Sequence, residues 1–236
     1  MRRNQTLFQN CASCSLRAKA VARDLTDAKS ATFQKLRHFL QYKARQTVFY
    51  EGHTCLGLYI LCSGKVKLTR SSARGQRQIV RIAEGGELLE KHVFRDEACH
   101  EVTCETLEPC HICFIDRQRY LELIRRNSEL AIRLIQLLSS ELGIRMDQRD
   151  LFAIRTGRER LAALLLELGG RFGQKAGKGT LVGINLTRGE LADMAGVAAE
   201  TAIRLLRAFR QEGLISLDRR SITLLSRNRL ARIARL

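Results

Sequence analysis

The stretch from Leu186 to Gly213, LTRGELADMAGVAAETAIRLLRAFRQEG, constrains the fold more tightly than any other part of the chain. Thr187 followed three residues later by Glu190 is a capping box, in which each side chain satisfies a backbone donor beside the other, so a helix is predicted from Arg188. Gly196 supplies the turn. Ala202, Leu205, Leu206 and Phe209 then recur at the spacing of one buried helical stripe. The opposite face carries Glu200, Ile203, Arg204 and Arg207. Two short helices in this arrangement form a helix-turn-helix, whose second helix can enter the major groove. Arg204 can donate two hydrogen bonds to a guanine edge, and Glu200, one turn earlier, can accept from a cytosine amino group.

The competing reading is a plain helical hairpin with a solvated charged face. The residues that follow favour the first. Gly213 fits a helix C-terminal cap, and Leu214–Leu217 and Ser221–Leu225 read as two strands flanking Asp218, Arg219 and Arg220. A winged helix-turn-helix results, with the arginines of the wing placed to meet phosphate. The formal net charge of +17 and a pI near 10.2 call for an anionic partner. Residues 151–236 hold 16 Lys and Arg against 7 Asp and Glu, so nine of the excess charges lie in the segment with the motif.

Upstream the pattern changes twice. Cys11-Ala-Ser-Cys14 is followed by helical patterns over Leu16–Leu25 and Ala28–Leu40. Runs rich in β-branched and aromatic residues follow at Thr47–Tyr50, Gly57–Cys62, Lys65–Thr69, Gln78–Ile82, Val102–Glu105 and His111–Ile115, the spacing of a sandwich or barrel. From Asp116 to about Asp150 the pattern is helical. Leu123, Leu130, Leu134, Leu137, Leu138 and Leu142 form a stripe read here as a dimer seam rather than a face packed within the monomer. Gly157–Phe172 is a further predicted helix, and Gly169–Gly183, rich in Gly and Lys, a predicted loop.

Known enzyme motifs are missing: there is no Walker loop, no G-x-G-x-x-G after a strand and no G-x-S-x-G elbow. No enzyme is expected. No apolar run approaches the roughly 20 residues of a membrane span, and the first residues lack an export signal's apolar centre, so a cytoplasmic, reducing location is expected and no membrane partner. There, eight cysteines are not a disulfide framework and need another explanation.

Gly57-Leu-Tyr-Ile-Leu-Cys-Ser-Gly-Lys-Val-Lys-Leu68, Ile79-Val-Arg-Ile-Ala-Glu-Gly-Gly-Glu-Leu88, Gly157-Arg-Glu-Arg-Leu161 and the E-T-x-x-R element Glu200, Thr201 and Arg204 resemble the CRP/FNR family of bacterial transcription regulators over nearly the whole chain. The resemblance implies an α+β architecture: a cysteine-containing segment (1–43), a cyclic-nucleotide-binding-like β-roll (44–116), a long dimerisation helix (117–150) and a C-terminal winged helix-turn-helix (151–236). It also implies a homodimer that binds a near-palindromic site on double-stranded DNA and recruits or blocks RNA polymerase. Thr187, Ala199, Glu200, Thr201, Ile203, Arg204, Arg207, Arg219 and Arg220 are the expected DNA contacts. Ile203 stands where FNR-like proteins carry a serine, and Ala199 removes an arginine contact of the cyclic-AMP branch, so neither branch's operator carries over.

The sensor also departs from both branches. Cyclic-nucleotide binders use a loop glutamate for the ribose and an Arg-Ser pair for the phosphate. Here Glu90 or Lys91 falls near the glutamate and Cys99-His100 stands in place of the pair, so cyclic AMP is not expected. The FNR-like branch binds a [4Fe-4S] iron-sulfur cluster through three N-terminal cysteines and one in the β-roll. Cys11 and Cys14 match the first two and Cys110 the last, whereas Ser15-Leu-Arg-Ala-Lys-Ala-Val21 lacks the third. A fourth thiolate would come from Cys55, Cys62, Cys99, Cys104 or Cys113. In a strand Cys110 and Cys113 face opposite sides, which makes Cys113 a core residue; Cys62, in an apolar run, reads as a small buried hydrophobe, and Cys99 and Cys104 remain. The alternatives are a thiol switch or a zinc-type site at Cys99, Cys104 and neighbours and, from another class, a basic binding module or cysteine enzyme without a transcriptional role.

Overall fold

Strand β7 (Cys110–Asp116) is buried on both faces, and the N-terminal half is built around it. The computed structural model describes residues 35–72, 77–89, 95, 97–132, 134–136, 138–140, 155–177, 179–218 and 221–236. The chain divides into two compact units between Gly143 and Ile144. In the first, β1 (Arg37–Tyr42), β7 and β3 (Gly57–Ser63) form an antiparallel sheet with β7 in the middle, while β2 (Thr47–Phe49), β6 (Thr103–Thr106), β4 (Lys65–Ser71) and β5 (Arg77–Glu84) form a second.

Side chains alternate across a strand, so β7 serves two cores. Cys110 and Ile112 join Leu61 with Phe49, Val66, Leu68, Ala83 and Cys104 of the second sheet. Cys113 and Ile115 face the other way, onto Leu58, Ile60, Tyr120, Leu123 and Leu130. The two-residue parity that separates Cys110 from Cys113 is therefore realised in the packing.

All six predicted strands are present, with ends that differ by a residue or two. Three expectations fail in this unit, wholly or in part. The helical pattern over Ala28–Leu40 is overturned at its end, because residues 37–42 form β1, paired with β7 from Arg37↔Ile115 to Tyr42↔Cys110. Without β1, the hydrogen-bonding edge of β7 would be bare, and pairing that edge outweighs a short helical stripe.

The continuous helix expected from Asp116 is interrupted. Helix α1 (Arg117–Arg125), capped by Asp116, ends at Arg126. Asn127 then caps a second helical run: its Oδ1 accepts from the Leu130 amide (3.4 Å) and its carbonyl from the Ala131 amide (3.1 Å). The stripe assigned to a dimer seam is corrected in its first half, while Leu137 and Leu142 lie outside the described residues. Leu123, Leu130 and Leu134 are buried within the unit, whereas Ile132 and Ile135 are 55% and 62% exposed on the helix. The expected helix beyond residue 140 and the patterns before Lys35 lie outside the described residues.

The second unit starts with α2 (Gly157–Arg171). Thr156 and Glu159 form a capping box: the Thr156 amide donates to Glu159 Oε2 (2.7 Å) and the Glu159 amide to Thr156 Oγ1 (3.4 Å). The loop expected over 169–183 is instead the end of α2 followed by a hairpin, β8 (Gly173–Ala176) and β9 (Gly179–Val182). A tight turn at Gly177 and pairing of β9 with β11 (Ile222–Leu224) explain the difference. With β10 (Ile215–Leu217) they make a four-stranded antiparallel sheet in the order β10-β11-β9-β8. Helices α3 (Arg188–Ala195) and α4 (Ala199–Gln211) lie between hairpin and wing, and α5 (Arg227–Ala234) packs along α2.

Arg160 of α2 fixes the turn between α3 and α4. Its guanidinium donates to the carbonyls of Ala195 (2.8 Å), Gly196 (2.9 Å) and Arg155 (2.8 Å). Gly196 itself is left-handed (φ 61°), a conformation that costs other residues energy. Arg158 reaches the opposite end of α4, with two hydrogen bonds to the Glu212 carboxylate (2.7 and 2.8 Å), and lies over the Phe209 ring. Between them Glu159 pairs with Arg235 Nε at 2.8 Å, joining the start of α2 to the end of α5.

Two outcomes follow from these bonds. Arg160→Met keeps the apolar stem but removes three charge-assisted hydrogen bonds, and should lower the stability of the C-terminal unit by about 2 kcal/mol in denaturant unfolding. The Glu159 carboxyl is held below its ordinary value of about 4.5 first by the Thr156 backbone donor, with Arg235 and Arg155 assisting. A lowered folded-state value contributes stability that is present above the unfolded value and lost as pH falls through the folded one. The melting-temperature gap between wild type and Glu159→Gln should therefore be open near neutral pH and close as pH falls below the ordinary value of about 4.5 and through the lower folded-state one.

Candidate nucleic-acid interface

Helix α3 starts at Arg188, as its capping box predicts: Thr187 Oγ1 accepts from the Glu190 amide (3.1 Å) and Glu190 Oε2 from the Thr187 amide (2.8 Å). It ends at Gly196. Leu191, Ala192 and Ala195 are buried, so α3 is a support. Helix α4 buries Ala202, Leu206 and Phe209 on that support, with Leu205 half-buried beside them.

The face left to solvent carries Ala199, Glu200, Ile203, Arg204, Arg207 and Arg210, with Thr201 half-buried at its edge. Glu200, Arg204 and Arg207 are spaced four and three residues apart, which aligns them along one side of the helix. Among the described residues no hydrogen bond or ion pair engages Glu200, Arg204 or Arg207, so their donors and acceptors face water. Ile203 is 38% exposed, an apolar contact within a polar row.

The end of α4 adds a second kind of contact. Its N-cap is Ala198, which has no side-chain oxygen, so no side-chain hydrogen bond closes the first turn. Uncapped amides at the positive end of a helix suit a phosphate oxygen. Thr187, expected as a DNA contact, has its hydroxyl engaged in the α3 cap. The wing is closed by the Asp218 amide donating to the Ser221 carbonyl (3.0 Å). Arg219 and Arg220 lie outside the described residues. Sequence reasoning missed Arg158 and Arg160 as positioning residues; the only signal was their place two residues apart in a helix start quoted for other reasons.

The sensor-side cysteines are scattered. Cys110 is 1% exposed, and its thiol donates to the carbonyls of Glu108 (3.1 Å) and Lys65 (3.4 Å). Burial pushes it up to about 11, so it is a protonated donor at neutral pH. Cys104 faces the same core and is fully buried. Cys99 is exposed, on a β-bridge to Thr54. Among the described residues no three Cys, His, Asp or Glu side chains converge as a metal site. Cys11 and Cys14 lie outside the described residues, as do Glu90 and Lys91.

The loop expected to hold an effector is tied internally. Glu87 accepts from Arg81 (2.5 Å) and from the Glu84 amide (3.0 Å), while Arg81 also donates to the Leu88 carbonyl. His100 is 3% exposed, its ring stacked on Phe49 at 4.1 Å. Arg95 is paired with Glu101 at 3.1 Å.

Known proteins share both halves of this arrangement. Residues 39–127 match the cyclic nucleotide-binding domain and residues 159–233 the Crp-like helix-turn-helix domain. The cyclic AMP receptor protein of Thermus thermophilus is 32% identical over 176 residues, covering 75% of this chain and 78% of that protein. The transcriptional activator protein FnrL of Cereibacter sphaeroides is 25% identical over 217 residues, covering 90% of this chain and 86% of FnrL. In fold, the structure of FixK2 from Bradyrhizobium japonicum is similar with a TM-score of 0.71 at 21% identity, covering 84% of this chain and 96% of that one. With an exposed, polar face on α4 and both domain types in order, the chain belongs to the CRP/FNR family of DNA-binding transcription regulators.

Proposed function

We propose that this regulator acts as a homodimer on a near-palindromic operator, contacts RNA polymerase there, and responds to oxygen or nitric oxide through cysteines of its N-terminal unit. The exposed row Glu200, Arg204 and Arg207 carries the DNA half of this reading: Arg204 and Glu200 read base edges, Arg207 meets the backbone, and Ile203 gives apolar contact. Arg219 and Arg220 of the wing add phosphate contacts. The homodimer reading rests on Ile132 and Ile135, which lie three residues apart and exposed on the run that buries Leu130 and Leu134 on its other side.

For the signal, the pattern of Cys11, Cys14 and Cys110 and the likeness to FnrL support a [4Fe-4S] cluster. The described thiols do not form its site by themselves. Cys110 offers one sulfur and Cys11 and Cys14 would add two; with Cys104 shut in the core, the exposed Cys99 is the candidate for the fourth. Such a cluster would bring reactivity toward oxygen and nitric oxide. The chain's own contribution is the placement of Cys110 at the start of β7, the strand shared by both cores.

Two measurements check these readings. Arg204→Ala should weaken specific operator binding by about 1–3 kcal/mol while leaving non-specific duplex binding nearly unchanged; equal loss on both would remove its base-reading role. Anaerobic purification followed by iron and sulfide analysis should find both elements. An iron-free protein whose DNA binding still switches with oxidant would end the cluster reading and leave the thiol or zinc alternative, which zinc analysis and thiol counting separate.

A further inference from the structure

Two cysteines outside the proposed ligand set share one face of the three-stranded sheet. The pairing of β3 with β7 slips between Leu61 and Ser63, and Cys62 sits in that bulge. Ile60 lies opposite Cys113, and Cys62 is the residue two further along β3. Cys113 is a member of the core on this face, and Cys62 packs against the same core from its edge. The Cys62 thiol donates to the Ile60 carbonyl (3.8 Å) at the edge of the core that holds Cys113.

We propose that Cys62 and Cys113 form a peroxide-responsive dithiol, a modification site separate from Cys11, Cys14 and Cys110. The two members have different exposure. Cys62 is half-buried and can be reached from solvent, whereas Cys113 is 2% exposed behind it. Hydrogen bonding from Cys113, with Arg37 of β1 assisting, holds the Cys62 thiol below its ordinary value, which raises the thiolate fraction at neutral pH. The other described cysteines are less suited. Cys110 is held protonated, Cys104 is fully buried, Cys55 is buried with its thiol toward the Gly57 carbonyl at 3.5 Å, and Cys99 is on the bridge to Thr54.

The chemistry closes with hydrogen peroxide as oxidant. The Cys62 thiolate attacks one peroxide oxygen, the O–O bond breaks, and a sulfenic acid and hydroxide form. The Cys113 sulfur then attacks the Cys62 sulfur; an S–S bond forms, the S–O bond breaks, and its oxygen leaves as water with the Cys113 proton. Two electrons and two hydrogens pass from the thiols to one peroxide, giving two waters. A dithiol reductant reverses the reaction by exchange.

The test uses the full chain carrying Cys11→Ser and Cys14→Ser, so that failure of the cluster reading and failure of this one are distinguishable. Reduced protein is treated with a small excess of hydrogen peroxide, and its peptides are mapped without reduction. A peptide pair joined through Cys62 and Cys113, lighter by two hydrogens and separated again by dithiothreitol, is the expected result. With Cys113→Ser added, a sulfenic acid at Cys62 should persist and be captured by dimedone. A disulfide from either cysteine to Cys55 instead, oxidation of Cys62 to the sulfinic acid while Cys113 stays a free thiol, or both thiols unmodified would overturn the proposal.

Discussion

Three consecutive residues at the start of α2 hold the recognition apparatus in place. Successive helical positions point about 100° apart, so Arg158, Glu159 and Arg160 reach three different elements from a single turn. Arg160 takes carbonyls at the helix-helix turn, Arg158 the carboxylate at the far end of α4, and Glu159 the last residues of α5. The carbonyls at the end of α3 are among those that no helical amide can satisfy, so a guanidinium there removes a backbone deficit as well as adding a contact. Burial of Leu206 and Phe209 is worth about 2–3 kcal/mol each and supplies most of the adhesion of α4. Apolar contact has no direction, however. The arginine bonds are directional, and they set where the exposed face of α4 points.

A similar division of labour holds in the N-terminal unit. Strand β7 cannot move without disturbing two cores, because Ile112 and Ile115 are both fully buried in opposite directions. That rigidity sorts the thiols chemically. Cys110 and Cys104 face the core between the sheets, where burial keeps Cys110 protonated. Cys113 faces the helix-covered core, where the bulge brings in Cys62. Cysteines three residues apart on one strand thus belong to different chemical settings, and a sequence spacing of C-x-x-C does not make a chelate here.

The helix-turn-helix was legible because its signals are local: a capping box, a glycine at the turn and a stripe of apolar residues act within a few residues of each other. The strands of the roll were legible for the same reason. Two of the failures involve distant partners. Residues 37–42 are a strand because β7 needs an edge partner, 68 residues away from Tyr42 to Cys110 and 78 from Arg37 to Ile115. The hairpin at 173–182 is ordered by β11, which comes much later in the chain. The helix break had a local signal, Asn127 before Ser128 and Glu129, but the leucine stripe running across it hid the cap. The exposed face of α4 followed from periodicity, while the roles of Arg158 and Arg160 did not, because carbonyl and carboxylate partners 35 to 54 residues away leave no periodic mark.

The corrected stripe changes how signal and response are connected. A leucine seam would have made the helix after Asn127 a feature of the dimer alone. Instead Leu130 is part of the same core as Cys113, Ile60 and Tyr120, and Leu134 is buried on the same helical run. Ile132 and Ile135 face outward from that run. The helix therefore carries two apolar faces with separate attachments, one to the outer core of the three-stranded sheet and one open to solvent. Close-packed interiors respond to a changed side chain by shifting their neighbours rather than by absorbing the change. A new bond between Cys62 and Cys113 would alter the packing under Leu130, and the exposed isoleucines would move with the helix that holds both. Cys113 and Leu130 share one buried core, and Leu130, Ile132 and Ile135 share one helical run, which gives the N-terminal chemistry a physical path to any partner seated on Ile132 and Ile135.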